Sequence, residues 1–451
     1  MGGVDATRRA LSTLLTSQGE RRDRRHGVRA TMVWKLLLGV EHTVIESVDL
    51  EVGPDGCEHV VARVRPTRRQ QLRCPRCRKA CRRVDDGEGR RRWRGLDLGT
   101  VQVYLEAAAP RVGCARHGVI VAAVPWARHD SWFTRAFEDH AAWLAAHTSR
   151  STVAELLRSS WRAITGIVTR VVAEARGGVD RLAGLRRIGI DEISYRKGQR
   201  YLIIVTDHDT GRVVWARPGR DQATIAAFFD DLGARAAAVT HVSCDGAEWM
   251  HDVITERAPQ AVICLDAFHV VAWATTAIDA VRRRITGDLR RQGRGEDAAA
   301  LKGSRWALLK NPDALTGTQR TSLASVKKTN DPLYRAYLMK EQLREVFALK
   351  GPEGRRLLSG VISWASHSKI PEMVALARTL RHFKDLIQNT LDHGLSNARS
   401  EATNTHIRLL TRIAYGFHTP EALIAMVELT RGGLCPPLPG RAARPSSRSA
   451  A

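Results

Sequence analysis

Residues 188–194 read IGIDEIS: Ile188, Ile190 and Ile193 mark a buried strand, yet Asp191 and Glu192 stand in its middle. A carboxylate inside an apolar layer is costly unless a cation or hydrogen-bond donors compensate it. Either Asp191 lies at a solvated strand end, or the fold brings something to it. The segments that follow limit what that fold can be. QRYLIIVTDHDTGRVVWARP is β-rich, and DHDTG (207–211) closes a hairpin. DQATIAAFFDDLGARAAA is an amphipathic helix, and VTHVSCDG (239–246) is a strand ending in an acid and a glycine. MHDVITERAP is a second helix and AVICLDAFHVV a last strand. The order is three strands, helix, strand, helix, strand. In a sheet of three antiparallel strands followed by βα units, the first and fourth strands lie side by side, so Asp191 and Asp245 meet at one edge.

Two close carboxylates repel each other unless a divalent cation neutralises them. Hard oxygen ligands select magnesium or manganese rather than zinc. A site with two such ions needs a third acid. Glu401 is the candidate, in LSNARSEATNTHIRLLTRIAYGF (395–417). Ser396 or Asn397 can cap that helix, which puts Glu401 about one turn in, with Asn404 and Thr405 on its face. Arg408 and Arg412 continue as a basic stripe suited to a DNA backbone. The chemistry expected of such a site is in-line phosphoryl transfer, with water or a 3′-hydroxyl as nucleophile.

The charge agrees with a nucleic-acid partner. The 451 residues carry a formal net charge of +24, which points to a polyanion. An Arg-rich composition alone explains Arg in place of Lys, but not the surplus over carboxylates. At 43% hydrophobic and 26% charged the chain is globular, and it is too long for one core. There is no apolar run of 18 residues and no secretory pattern at the N-terminus, so a cytoplasmic protein without membrane partners is expected.

Eight cysteines in such a chain suggest metal ligands or thiols rather than disulfides. Residues 62–116 hold sixteen Lys/Arg against five Asp/Glu, together with CPRC (74–77) and CARH (114–117). Between these pairs the sequence alternates like two short strands around Gly99. Two ligand pairs flanking a hairpin describe a zinc ribbon with Cys74, Cys77, Cys114 and His117 as a Cys3His set and Cys81 as an alternative ligand. Metal would supply folding energy to a segment with little core. Residues 133–185 are helical. Ser151–Thr152 with Glu155 suggests a capping box, and SSW (159–161) is a turn into the next helix, a helix-turn-helix pattern. The basic runs Arg90, Arg91, Arg92, Arg94 and Arg282, Arg283, Arg284 are candidate DNA contacts, with Arg408 and Arg412.

The expected fold class is α/β and multidomain. Residues 1–31 form a disordered arm or a misassigned start, 32–125 a zinc-ribbon-like domain and 126–185 a helix-turn-helix domain. Residues 186–275 hold the first part of a catalytic core, 276–390 a helical insertion and 391–434 the last core helix; a disordered tail spans 435–451. Trp306 and Trp364 in the insertion are read as core residues. Asp266 and His269 lie at the end of the last strand. They either contact a scissile phosphate or neighbouring bases, or serve the fold, His269 as a helix cap and Asp266 as an arginine's partner.

The motifs IGIDEIS, VSCDGAEWM, CLDAFHVV and SNARSEATNTHIRLLTRIAYGF resemble the insertion-sequence transposases of the ISL-three group, a branch of the DDE transposases, over about 32–434. The resemblance implies an RNase H-like mixed-sheet core with Asp191, Asp245 and Glu401 as the metal-binding triad. It also implies binding to terminal inverted repeats, DNA cleavage with strand transfer, and assembly as a homodimer or higher oligomer on DNA. Two positions depart from the family pattern: His117 replaces a usual cysteine, and Gly246 a usual bulky residue. A regulator that keeps the DNA-binding modules without catalysis, or another RNase H-like nuclease, shares part of this pattern.

Overall fold

The computed structural model describes residues 30–441 except 54, 55, 197, 199, 396, 397, 415, 416 and 418; for residue 30 and residues 398–401 it describes the backbone alone. The expectations for residues 1–29 and for the tail from 442 lie outside the described residues. The chain forms two compact units, divided after Asp139, with the segment from Pro439 belonging to the first.

In the first unit, helix α1 (Ala30–Leu38) leads into β1 (Thr43–Val52) and β2 (Glu58–Pro66). Three short strands and one longer one follow: β3 (Arg82–Asp85), β4 (Arg90–Arg94), β5 (Gln102–Ala108) and β6 (Arg111–Cys114), then β7 (Gly118–Val121). They form two sheets, β1-β2-β5-β4 and β3-β6-β7. The expected hairpin around Gly99 exists as the antiparallel pair β4–β5, but it is not the ribbon. Its apolar strand β5 pairs in parallel with the apolar strand β2, and Ala62, Val64, Trp93, Leu105 and Trp126 build a shared core. Of the ligand pairs, Cys114 and His117 lie on β6 and the β6–β7 turn of the other sheet, whose strands are short, and Cys74 and Cys77 lie in the turn before β3.

Helices follow, the first of them running across the division after Asp139. Helices α2 (Arg135–His147), α3 (Arg150–Leu156) and α4 (Trp161–Gly178) carry the helix-turn-helix. The cap of α3 is Ser149, whose hydroxyl accepts from Thr152 N–H at 3.1 Å, two residues before the expected box. Ser160 caps α4 as the SSW turn requires, accepting from Ala163 N–H.

The sheet that follows has the order β10-β9-β8-β11-β12. Its strands are β8 (Arg187–Arg196), β9 (Arg200–Asp207), β10 (Val213–Pro218), β11 (His241–Cys244) and β12 (Val262–Leu265). β8, β9 and β10 are antiparallel, and β8, β11 and β12 run parallel. The turn DHDTG is held by Asp207, which accepts from Asp209 N–H, Thr210 N–H and the Thr210 hydroxyl, with Gly211 at φ +71°. Helices α5 (Gln222–Leu232) and α6 (Glu248–Arg257) cover one face through Ile225, Phe228, Met250 and Ile254.

Helix α7 (Ala267–Arg291) begins directly after β12 and runs unbroken past residue 276. Helices α8 (Gly295–Gly303), α9 (Arg305–Leu309), α10 (Gly317–Thr329), α11 (Asp331–Leu349), α12 (Gly351–Ser366), α13 (Pro371–His382) and α14 (Lys384–His393) pack with it around one apolar cluster. Trp364 packs on that cluster, whereas Trp306 is 55% exposed with Arg305 over its ring, which corrects the core reading for Trp306. The edge strand β12 is closed by α14: Asn389 donates to Ile263 O and Thr390 to Leu265 O, at 2.9 and 2.7 Å. Helices α15 (Ala398–Ile413) and α16 (Pro420–Arg431) complete the unit, α15 against β8 and α16 against α4. On α16 the buried Glu428 is neutralised by Arg176 and Arg181.

Candidate active site and metal centre

Strand register sets the first cluster. Gly189 of β8 pairs with Ser243 of β11, and Cys244 pairs with Leu265 of β12. Asp191 is two residues beyond Gly189, Asp245 two beyond Ser243, and Asp266 one beyond Leu265. The three acids therefore stand level across three neighbouring parallel strands, while Ile190, Cys244 and Leu265 before them are fully buried.

The three are held differently. Asp191 Oδ1 accepts from Glu192 N–H at 2.7 Å, and Oδ2 from the Asn404 amide on α15 at 2.5 Å. Burial pushes its carboxyl above the ordinary value, against the pull of those two donors and of His269. Asp245 Oδ1 accepts from Ala247 N–H at 3.0 Å, and its backbone carbonyl accepts from His251 Nε2 at 2.8 Å. Asp266 has both oxygens engaged: it caps α7 through Phe268 N–H at 3.1 Å and accepts from His269 Nδ1 at 2.8 Å. So Asp266 is the helix cap and His269 its partner, which revises the structural reading of both. The Asp266 hydrogen bond raises the His269 pKa against its burial, with Asp245 and Asp191 adding to the field. Glu192, beside Asp191, is paired with Arg220 at 2.7 Å; burial raises its pKa, and Asp245 and Asp191 push it the same way.

The backbone of Glu401 lies on α15 one turn before Asn404, and its side chain lies outside the described residues. Because Asn404 reaches Asp191, the face of α15 that carries position 401 is turned toward the acid row.

Three neighbours of the row were invisible in the sequence: His251, Arg220 and Trp273. Trp273 explains the glycine at 246. A Cβ there would lie 2.4 Å from Trp273 Cζ2, inside any tolerable contact, and the ring is backed by Phe383 at 5.3 Å. Gly246→Ala should therefore shift the segment after Asp245 and reduce cleavage of repeat-end DNA at least about tenfold, the scale of a misplacement near an ångström. Trp273→Leu in the same chain should restore most of it; a Gly246→Ala enzyme of normal rate would contradict the contact.

The second cluster is in the first unit. Cys74, Cys77, Cys114 and His117 bring one donor atom each within 4.8 Å of all the others, the one such group of His, Cys, Asp and Glu among the described residues. Cys74 and Cys77 flank a tight turn, with Arg78 N–H on Cys74 O and Arg78 at φ +60°. Cys114 and His117 lie on the β6–β7 turn, which ends at Gly118 with φ +69°. The separations are 3.5 Å for Cys74 Sγ to His117 Nδ1, 3.6 Å for Cys114 Sγ to His117 Nδ1 and 3.7 Å for Cys77 Sγ to Cys114 Sγ. Ligands about 2.3 Å from a tetrahedral ion stand about 3.7 Å apart, so the set fits zinc. Backbone N–H groups of Arg116 and His117 help pull the Cys114 thiol down to about 6. Cys81 is outside the set; its thiol donates to Lys79 O.

The arginine runs are largely spoken for. Arg90 and Arg92 pair with Glu106, and Arg92 also with Glu51. Arg94 and Arg282 are 7% exposed and bound to Asp97 and Asp279, which takes both off any surface a duplex can touch. Arg284 pairs with Glu372, Arg283 reaches Asp279 while staying exposed, and Arg91 stacks 3.8 Å over Trp132. Arg408 and Arg412 are exposed on α15.

Comparison with known proteins agrees with this layout. Residues 188–427 match a family model described as "Transposase", of the ISL3 type. Residues 122–172 match the helix-turn-helix domain of transposase family ISL3, and residues 70–117 the zinc-finger of transposase IS204/IS1001/IS1096/IS1165. The chain is 51% identical over 436 residues to a transposase for insertion sequence element IS1557 of Mycobacterium tuberculosis, covering 92% of this chain and 98% of the relative. It is 28% identical over 367 residues to a transposase for element IS1001 of Bordetella parapertussis, covering 79% and 88%. With more than half its length in one family model and a relative this similar across nearly the whole chain, the protein belongs to the ISL3 family of insertion-sequence transposases.

Proposed function

We propose that the sheet β10-β9-β8-β11-β12 is an RNase H-like core and that Asp191, Asp245 and Glu401 hold two magnesium or manganese ions for cleavage and transfer of DNA strands. The observation that carries this is the level register of Asp191 and Asp245 on adjacent parallel strands, with α15 tied to Asp191 through Asn404. Asp245 has an oxygen with no partner among the described residues, whereas Asp266 is committed to a helix cap and an imidazole. That ranks Asp245 above Asp266 as a ligand. When bound, the ions supply charge neutralisation at the phosphate and an activated oxygen nucleophile. The chain's own residues orient this chemistry. Asn404 fixes the Asp191 carboxylate, His251 and Gly246 fix the segment after Asp245, and the Asp266–His269 pair sets an imidazole beside the row.

In the same reading the Cys3His set holds one structural zinc, and the zinc ribbon and helix-turn-helix bind the terminal inverted repeats as a homodimer or larger assembly. The deciding experiment is nicking of a labelled repeat-end duplex in magnesium by the full chain. Absence of cleavage by the folded, repeat-bound protein would leave a regulator in place of an enzyme.

DNA affinity should depend steeply on salt, and the dependence should come from the exposed arginines that have no ion pair among the described residues. Arg408→Ala and Arg412→Ala should each lower the slope of log K against log salt by about 0.9. Arg94→Gln and Arg282→Gln should leave the slope unchanged, because these cations are already neutralised inside the fold. The reverse pattern, measured by titrating salt against repeat-end binding, would return the phosphate contacts to the two runs.

A further inference from the structure

The strand that carries Asp191 does not end there. β8 continues through Ile193 and Ser194 to Tyr195 and Arg196, and α15 lies along it. A recess of about 220 Å³ between them is edged by Arg408 and Arg412. Beyond it opens a cavity of about 490 Å³, walled by Trp161, Tyr195 and Phe417 and by the cations Arg150 and Arg196. No acid lines it.

Arg150 has no counter-ion among the described residues. Its guanidinium lies 4.4 Å from the centre of the Phe417 ring and donates to the Thr165 hydroxyl at 2.8 Å. Among the described residues no carboxylate is within ion-pair distance of it, and burial pulls its pKa down. A half-buried cation without a counter-ion is costly, and an anionic ligand would relieve it. Aromatic faces, cations and the absence of acids together select a ligand that is flat and anionic. Every nucleotide has a π-face and a phosphate, and aromatic side chains with Arg are the usual platform for unpaired bases.

We propose that this cavity holds one unstacked nucleotide of the DNA strand that passes through the acid row, an assignment that rests on reading that row as the phosphoryl-transfer site. Tyr195 lies four residue steps along the strand from Asp191, about 13 Å. That equals about four stacked base steps along one strand, so the captured nucleotide lies within a few positions of the reacting phosphate. Arg408 and Arg412 edge the path between the two. The site reads no sequence; it holds a strand end open and fixes its distance from the acids.

The test uses the full chain in calcium, with single-stranded oligothymidylate and a blunt duplex as separate probes, followed by fluorescence anisotropy. Tyr195→Ala and Arg150→Gln should each weaken oligothymidylate binding about tenfold, the size expected for losing one base–aromatic stack, and Tyr195→Ala should change duplex binding by less than about twofold. Tyr195→Phe should bind as the wild type. An oligothymidylate with one abasic position near its 3′ end should show the same loss with the wild type and no further loss with Tyr195→Ala. Equal oligothymidylate affinity for wild type and folded Tyr195→Ala would overturn the proposal. Full displacement of oligothymidylate by an equal concentration of free thymidine monophosphate would overturn the strand assignment in favour of a mononucleotide site. Nicking of repeat-end duplexes by the wild type is scored separately, so a failure of the acid row is distinguished from a failure of the cavity.

Discussion

Asp191→Asn, Asp245→Asn and Glu401→Gln should each abolish nicking and strand transfer in magnesium while repeat-end binding in calcium stays near the wild-type level. Each change removes one charge and keeps the side chain's size, and the helix-turn-helix and ribbon are left intact. Removing one ligand already disassembles a shared site, so the double variants should be no worse than the single ones. Asp266→Asn should be milder, because it loosens a cap and an imidazole rather than a ligand. A dead Asp266→Asn beside an active Asp245→Asn would exchange the two assignments. A fully active Glu401→Gln would move the third ligand elsewhere.

A second readout needs no turnover. Burial raises the folded pKa of Asp191 above its ordinary 3.8. An acid with a raised folded pKa binds its proton more tightly folded than unfolded, so it favours folding at low pH and opposes it as pH rises from about 3.8 to the raised value. At neutral pH without divalent cation, Asp191→Asn should therefore melt at or above the wild-type temperature. Adding magnesium or manganese should raise the melting temperature of the wild type and not of the variant. An equal rise in both would show that the ions bind elsewhere.

Much of the acid row was legible because its determinants are local and ordered along the chain. Strand, hairpin and crossover lengths force β8 beside β11, and counting residues along each strand brings Asp191 level with Asp245. The spacing CPRC…CARH likewise fixes a four-ligand set without knowledge of the sheets around it. What the sequence hid depends on distant partners. Arg284 meets Glu372 across 88 positions, and the hairpin β4–β5 joins β2 rather than the ribbon, because an apolar strand pairs where an apolar neighbour exists. Gly246 reads as an incidental departure until Trp273 is seen to occupy its Cβ space. Of the question raised by Asp191, the fold answers part: Asn404 and Glu192 N–H hold the carboxylate, and its raised pKa shows that they do not fully compensate its burial.

Loss of the zinc should have the other large effect, and it should fall on recognition. The ribbon has almost no core of its own: in the sheet β3-β6-β7 and the Cys74–Cys77 turn, Cys74, Val112 and Cys114 are the buried side chains among the described residues, and two of these are candidate ligands. Structural zinc in comparable small modules contributes on the order of 10 kcal/mol to folding, far more than one valine. Cys74→Ser or His117→Ala should therefore lose about one zinc per chain by metal analysis and unfold the ribbon, as removal of the ion by a chelator should. The four-stranded sheet keeps its own core around Trp93 and Trp126, so the rest of the chain should stay folded. Repeat-end binding should fall sharply, whereas cleavage by the fraction already bound should change little. His117→Cys is the informative control. It exchanges an imidazole for a thiolate in a set whose three other donors are sulfur, and it should keep both the zinc and the binding. Zinc retained in full by Cys74→Ser would refute the ligand assignment, and zinc lost by His117→Cys would show that the 3.5 and 3.6 Å geometry around Nδ1 admits no sulfur in its place.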